Sequence, residues 1–181
     1  MFHSNTQQMI DYWRSKCGVA GLPVRADIDP TEFAKLAPQA FMLGRESAGI
    51  YPVRLSGALV SELHQRDLRG RNFLTLLDPL GRHEVQTALE TGRRRPEPVV
   101  ARINALSDTA TLELELLFAP IAGGRGSPER YLGLYQPISL VAALRDEPIR
   151  QLFVREVHGV GPANEETHRL RLATLDGRWV A

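Results

Sequence analysis

The stretch Tyr51–Phe73, YPVRLSGALVSELHQRDLRGRNF, constrains the fold more than any other part of this chain. Tyr51, Val53 and Leu55 alternate with Pro52, Arg54 and Ser56, the period of a half-buried strand, and Gly57 ends the run where a sharp bend is needed. Helical spacing then takes over, with Leu59, Val60 and Leu63 supplying the apolar side of a short helix. Asp67, Gly70 and Asn72 mark turns beyond it. A strand that feeds a helix through one tight turn predicts a sheet with that helix packed on its face, the two forming one wall of a pocket.

The flanking segments extend this wall. Phe41–Leu43 reads as a partner strand, joined to Tyr51–Leu55 through the polar loop Gly44–Gly49. Asp78 caps a second helix with Pro79 at its first position; Leu80, Val85, Ala88 and Leu89 form its apolar side, and Gly92 stops it. Val99, Ala101, Ile103 and Ala105 then alternate with their neighbours, as do Leu112, Leu114 and Leu116 with Glu113 and Glu115. Ser107–Thr109 joins these two strands, and Gly123–Pro128 leads to a third run, Arg130–Gln136. The predicted fold is α+β: a five-stranded antiparallel sheet with helices on one face, plus an N-terminal helix.

That first helix carries Met9, Ile10, Trp13 and Cys17 at spacings of three and four. Its apolar stripe needs a cover, either the sheet or a second subunit, and a second subunit is the reading preferred from sequence. Asp29 and Pro30 begin a short helix that Pro38 closes. Residues 1–30 are read as helix and lead-in, 31–145 as the domain, and 146–181 as an extension. In the extension, Gln151–Val157 fits helix or strand, Gly159–Glu166 reads as a linker, and Leu170, Leu172 and Leu175 could pack back on the domain.

Composition removes several function classes. With 22 basic and 21 acidic residues among 181, no global field favours nucleic acid or an anionic membrane. The single cysteine excludes an intramolecular disulfide framework. No apolar core of a signal peptide opens the chain, and no apolar run reaches the roughly 18 residues that cross a bilayer. A reducing cytoplasm is the expected location. No nucleophile elbow, phosphate-binding loop or paired-histidine metal motif occurs, so the chain is not read as an enzyme and no metal site is assigned.

Tyr12-Trp13-Arg14, Asp27-Ile28-Asp29-Pro30, Arg54 with Gly57, and Arg66-Asp67-Leu68-Arg69-Gly70-Arg71-Asn72-Phe73 resemble the motifs of a stand-alone bacterial PAS family across roughly Met9 to Val141. The resemblance implies a single-domain cytoplasmic regulator that acts by binding other molecules, with no output domain of its own and no defined ligand. Gly70-Arg71-Asn72 also resembles the start of the turn that carries the reactive cysteine of flavin-binding photosensory PAS domains. Here Phe73 stands in place of that cysteine, which disfavours flavin photochemistry. In haem-binding PAS sensors the helix that here carries His83 supplies the axial imidazole, but Arg82 and Glu84 beside His83 suggest a wet face, so haem is not favoured either.

The residues expected to line the core or pocket are Leu55, Leu59, Leu63, Phe73, Leu76, Val85, Leu89, Ile103, Leu114 and Leu134. Arg54 is a polar pocket candidate, with Asp67 as a structural mate. Met9, Trp13, Tyr131 and Tyr135 are candidate contacts of a homodimer. The expected function is a sensory or interaction module that binds a signalling protein and, where its pocket admits one, a small apolar ligand. The alternatives are a haem or small-ligand sensor using His83, and a constitutive scaffold whose core is filled by its own side chains.

Overall fold

A computed structural model describes residues 1–18, 21–92, 96–123 and 128–161. The arginines at 93–95, the turn at 124–127, most of the linker stretch and the leucines at 170, 172 and 175 lie outside the described residues. One antiparallel sheet contains β1 Ala40–Gly44, β2 Val53–Ser56, β3 Val99–Leu106, β4 Thr111–Ala122, β5 Pro128–Pro137 and β6 Gln151–Gly159, in the order β2-β1-β5-β4-β3-β6. The sheet thus has one strand more than expected. β6 is the segment whose pattern fits helix or strand, and it pairs along the whole of β3, from Val99 opposite Gly159 to Leu106 opposite Gln151.

Specific bonds bring β6 into place. The Glu147 carboxylate accepts from the Ser107 and Thr109 hydroxyls and the Thr109 amide, fastening the approach to β6 onto the β3–β4 hairpin. The Ile149 amide donates to Leu63 O at 2.8 Å. Asp78 accepts from Gly81 N at 3.1 Å through one carboxylate oxygen and from Val154 N at 3.0 Å through the other. One side chain therefore caps a helix and holds the last strand.

Helix α2, Ala58–His64, and α3, Pro79–Gly92, cover one face of the sheet. Val85 and Leu89 of α3 are fully buried, whereas Leu80, assigned to the same apolar side from sequence, is 79% exposed in the first turn. Helix α1, Ser4–Lys16, covers the opposite face. Its Met9, Ile10 and Trp13 pack with Met42, Leu117, Ile121, Leu132 and Leu134, and the Trp13 indole donates to Pro120 O at 2.7 Å. The cover that α1 requires is thus its own sheet, and Met9 and Trp13 are buried within the chain instead of being presented to a second copy.

Two strand assignments from sequence are corrected by register. Met42 lies opposite Leu55 but Leu43 lies opposite Val53, so β2 carries one extra residue there, Arg54. Such a bulge breaks the two-residue alternation. Val53 consequently faces the helices, while Leu55 turns to the side of Met42 and is 47% exposed. On β5, Tyr131 and Tyr135 belong to the helix-side core, and Leu132 and Leu134 belong to the face beneath α1. Alternation gives a period without a phase, and here both faces are buried and apolar.

Candidate functional site

The space between the sheet and helices α2 and α3 is occupied by aromatic rings. Phe41 stacks on Phe73 with centroids 5.1 Å apart, and Phe118 meets both edge-on at 5.7 and 5.6 Å. Gly133 permits this arrangement: a Cβ there would lie 2.1 Å from Phe41 Cζ. The missing side chain on β5 is the seat of the Phe41 ring. Leu63, Phe73, Leu76, Val85, Leu89, Ile103 and Leu114 all belong to this core, with Leu59 partly buried against it.

Polar groups at the margin of the core are fastened to neighbours. Tyr131 Oη donates to Leu89 O at 3.0 Å, and Tyr51 Oη bonds Glu90, whose carboxylate also receives the Arg45 guanidinium in a two-pronged pair at 2.9 Å. His64 Nε2 and Tyr135 Oη lie 3.0 Å apart inside the core, and His64 Nδ1 is buried without a hydrogen-bond partner among the described residues. Burial holds the His64 imidazole down to about 4, and Arg66 acts in the same direction. Burial likewise pushes the Tyr51 and Tyr135 hydroxyls well above their ordinary value. At neutral pH these groups are uncharged and serve as fixed dipoles. They tie the helices to the sheet and are not poised to exchange protons.

The remaining candidates fall outside this core. His83 is exposed on α3, away from the aromatic core. Leu134 is on the other face. Arg54 is also at the surface, with its side chain 52% exposed, and its ion-pair partner is Glu46 at 2.9 Å; the mate expected from sequence, Asp67, pairs with Arg69. The signals overlooked in the sequence were Gly133, an isolated glycine inside an apolar strand and hence a mark of close approach, and Phe41, the residue that fills the gap.

The turn after α2 is built from its own motif. Asp67 Oδ1 accepts from Arg69 N at 2.9 Å, Gly70 takes the left-handed conformation at φ +76°, and Leu68 and Phe73 are buried. Asn72 Oδ1 accepts from Tyr51 N at 2.9 Å, and Asn72 Nδ2 donates to Gly49 O at 2.8 Å. Arg71 O accepts from Val53 N, and Val53 O accepts from Gly70 N. The turn therefore closes the first residue of β2, the edge strand. Beyond that point Arg54, Leu55, Ser56, Ser61, Asp67 and Arg69 line a surface groove of about 460 Å³. A second groove of about 500 Å³ lies under Met1–His3, where buried Glu115 accepts from His3 N at 2.9 Å.

The family model described as "PAS domain" matches residues 1–136, and the chain belongs to that family. This makes it a module of the sensory or interaction class. No curated protein matches. Among solved structures, a light-oxygen-voltage domain from a flavin-analogue study is 23% identical, with TM-score 0.48, over 66% of this chain and 91% of that one. The dark structure of the blue-light photoreceptor Aureochrome1 LOV is 18% identical, with TM-score 0.46, over 64% and 87%. The Rhodobacter sphaeroides LOV protein is 12% identical, with TM-score 0.45, over 65% and 72%.

Proposed function

We propose that this chain is a cytoplasmic protein-docking module whose core is filled by its own side chains, so that it binds a signalling partner through its surface without a resident small molecule. The observation that carries this reading is the Phe41 ring seated against Gly133, between Phe73 and Phe118. A ligand in that position would have to displace a buried aromatic cluster. It would also have to replace the contacts that these rings already make with one another. Self-association belongs to this reading only through surfaces outside the face that α1 occupies. Haem sensing through His83 gains no support from an imidazole exposed on α3.

The test is to compare native and denaturing mass spectra of the gently purified protein. The expected result is a polypeptide without excess mass and a colourless sample. A stoichiometric bound molecule, released on denaturation, would replace this reading with a ligand sensor.

A further inference from the structure

We infer that the groove beside β2 is a docking site for an extended, acidic peptide segment of a partner protein, which adds as a further strand at the open edge of the sheet. The inference rests on the reading of the chain as a protein-docking module. It begins with the backbone. β2 is the terminal strand in the sheet order, and the Asp67–Phe73 turn closes only its first residue. Gly57 N donates to Ala40 O, which makes the neighbouring pair, Phe41 and Ser56, a pair without mutual hydrogen bonds. The N–H and C=O of Ser56 therefore point away from β1, towards the groove that Ser56 lines. Among the described residues neither group has a hydrogen-bond partner. An exposed strand edge of this kind is a template for another strand, and main-chain bonding to it is a recurrent mode of peptide recognition.

The side chains define the chemistry of the occupant. Leu55, turned outward by the bulge at Arg54, gives the groove an apolar contact. Arg54 and Arg69 line it with side chains 52% and 69% exposed, and Arg66 and Arg71 are exposed on the same turn. Their present partners, Glu46 and Asp67, are half-exposed carboxylates, and water competes strongly for such surface pairs. A glutamate or aspartate of an incoming strand can take over these guanidinium donors at small cost, and Arg is suited to holding a carboxylate by two bonds. A basic strand would meet repulsion from the same residues.

Fluorescence anisotropy with a labelled peptide of alternating glutamate and valine, and with its lysine-valine counterpart, tests the site. The acidic peptide is expected to bind saturably, to weaken with salt, and to lose about tenfold in affinity in Arg54→Glu/Arg69→Glu. Ser56→Pro removes the main-chain donor and is expected to weaken binding to a similar degree. The arginine variant alters only exposed side chains, so it keeps the test valid if the proline variant fails to fold. Equal binding of the two peptides, no binding of the acidic one, or affinity unchanged in the arginine variant would overturn the site. Such a failure with a bare polypeptide mass leaves the docking reading standing. Excess mass overturns that reading whatever the peptide does.

Discussion

The two faces of the sheet are closed in different ways. On one side α2, α3 and the turn between them follow one another in the chain and enclose an aromatic cluster. On the other side the single helix α1 lies across Met42, Leu117, Ile121, Leu132 and Leu134, tied down by the Trp13 indole and by Asn5 Nδ2 donating to Gln136 Oε1 at 3.0 Å. Both faces are dry, but the first interlocks three phenylalanine rings across sheet and turn, whereas the second pairs Tyr12 edge-on with Phe33 at 5.0 Å beside α1. The comparison separates a core of interlocked phenylalanine rings from a cover that one helix supplies. It also explains why an apolar stripe on α1, taken alone, reads equally well as a contact with the sheet or with a second copy.

The largest expected effect tests the aromatic side. Phe73→Ala removes the ring that contacts both Phe41 and Phe118 and should cost about 4 kcal/mol in a denaturant titration. A cost below about 1 kcal/mol would show that this core is not packed around it. Trp13→Ala tests the other face and should cost about 3 kcal/mol. Because Trp13 bonds Pro120 of its own chain, the unfolding midpoint should not depend on protein concentration. A midpoint that rises with concentration in the wild type but not in Trp13→Ala would place α1 on a second copy.

His64 sharpens the contrast through pH. Its folded value near 4 lies below the ordinary 6.5, so the folded state binds fewer protons than the unfolded state between these limits. Stability is then full above about pH 6.5 and falls as the pH drops, by about 2 kcal/mol at pH 5. Unfolding titrations at pH 7 and pH 5 should show that loss in the wild type and little of it in His64→Gln. A wild type insensitive to this interval would mean that water reaches the imidazole. The smallest effect is expected at Leu55: Leu55→Ser should change stability by less than about 0.5 kcal/mol, since the side chain is 47% exposed. A core-sized loss would contradict the bulge at Arg54.

Much of this architecture was legible in the sequence. Asp78-Pro79 marked the start of α3, alternation marked β3 and β4, and the Asp67–Phe73 motif marked a turn. Phase was harder to read. Tyr131 and Leu132 differ by one position on a strand buried on both sides, and no single-face pattern distinguishes them. At Leu55 the error came from one inserted residue, which alternation cannot register. β6 was ambiguous because its form follows from a neighbour: the open edge of β3 and the Asp78 carboxylate make a strand of a segment whose own pattern fits two forms. The Ser56 edge was invisible for a related reason, since what it lacks is a partner elsewhere among the described residues.

The match to the family stops at residue 136, and β6 starts at Gln151. A boundary drawn by family likeness and a boundary drawn by folding therefore fall at different places. A chain shortened to the first would strip β3 of its neighbour from Val99 to Leu106 and leave Asp78 with one of its two main-chain donors. An edge of that length, rich in apolar residues, invites pairing between molecules. The last strand thus acts as a guard against aggregation as well as a part of the sheet, and any dissection of this protein has to keep it.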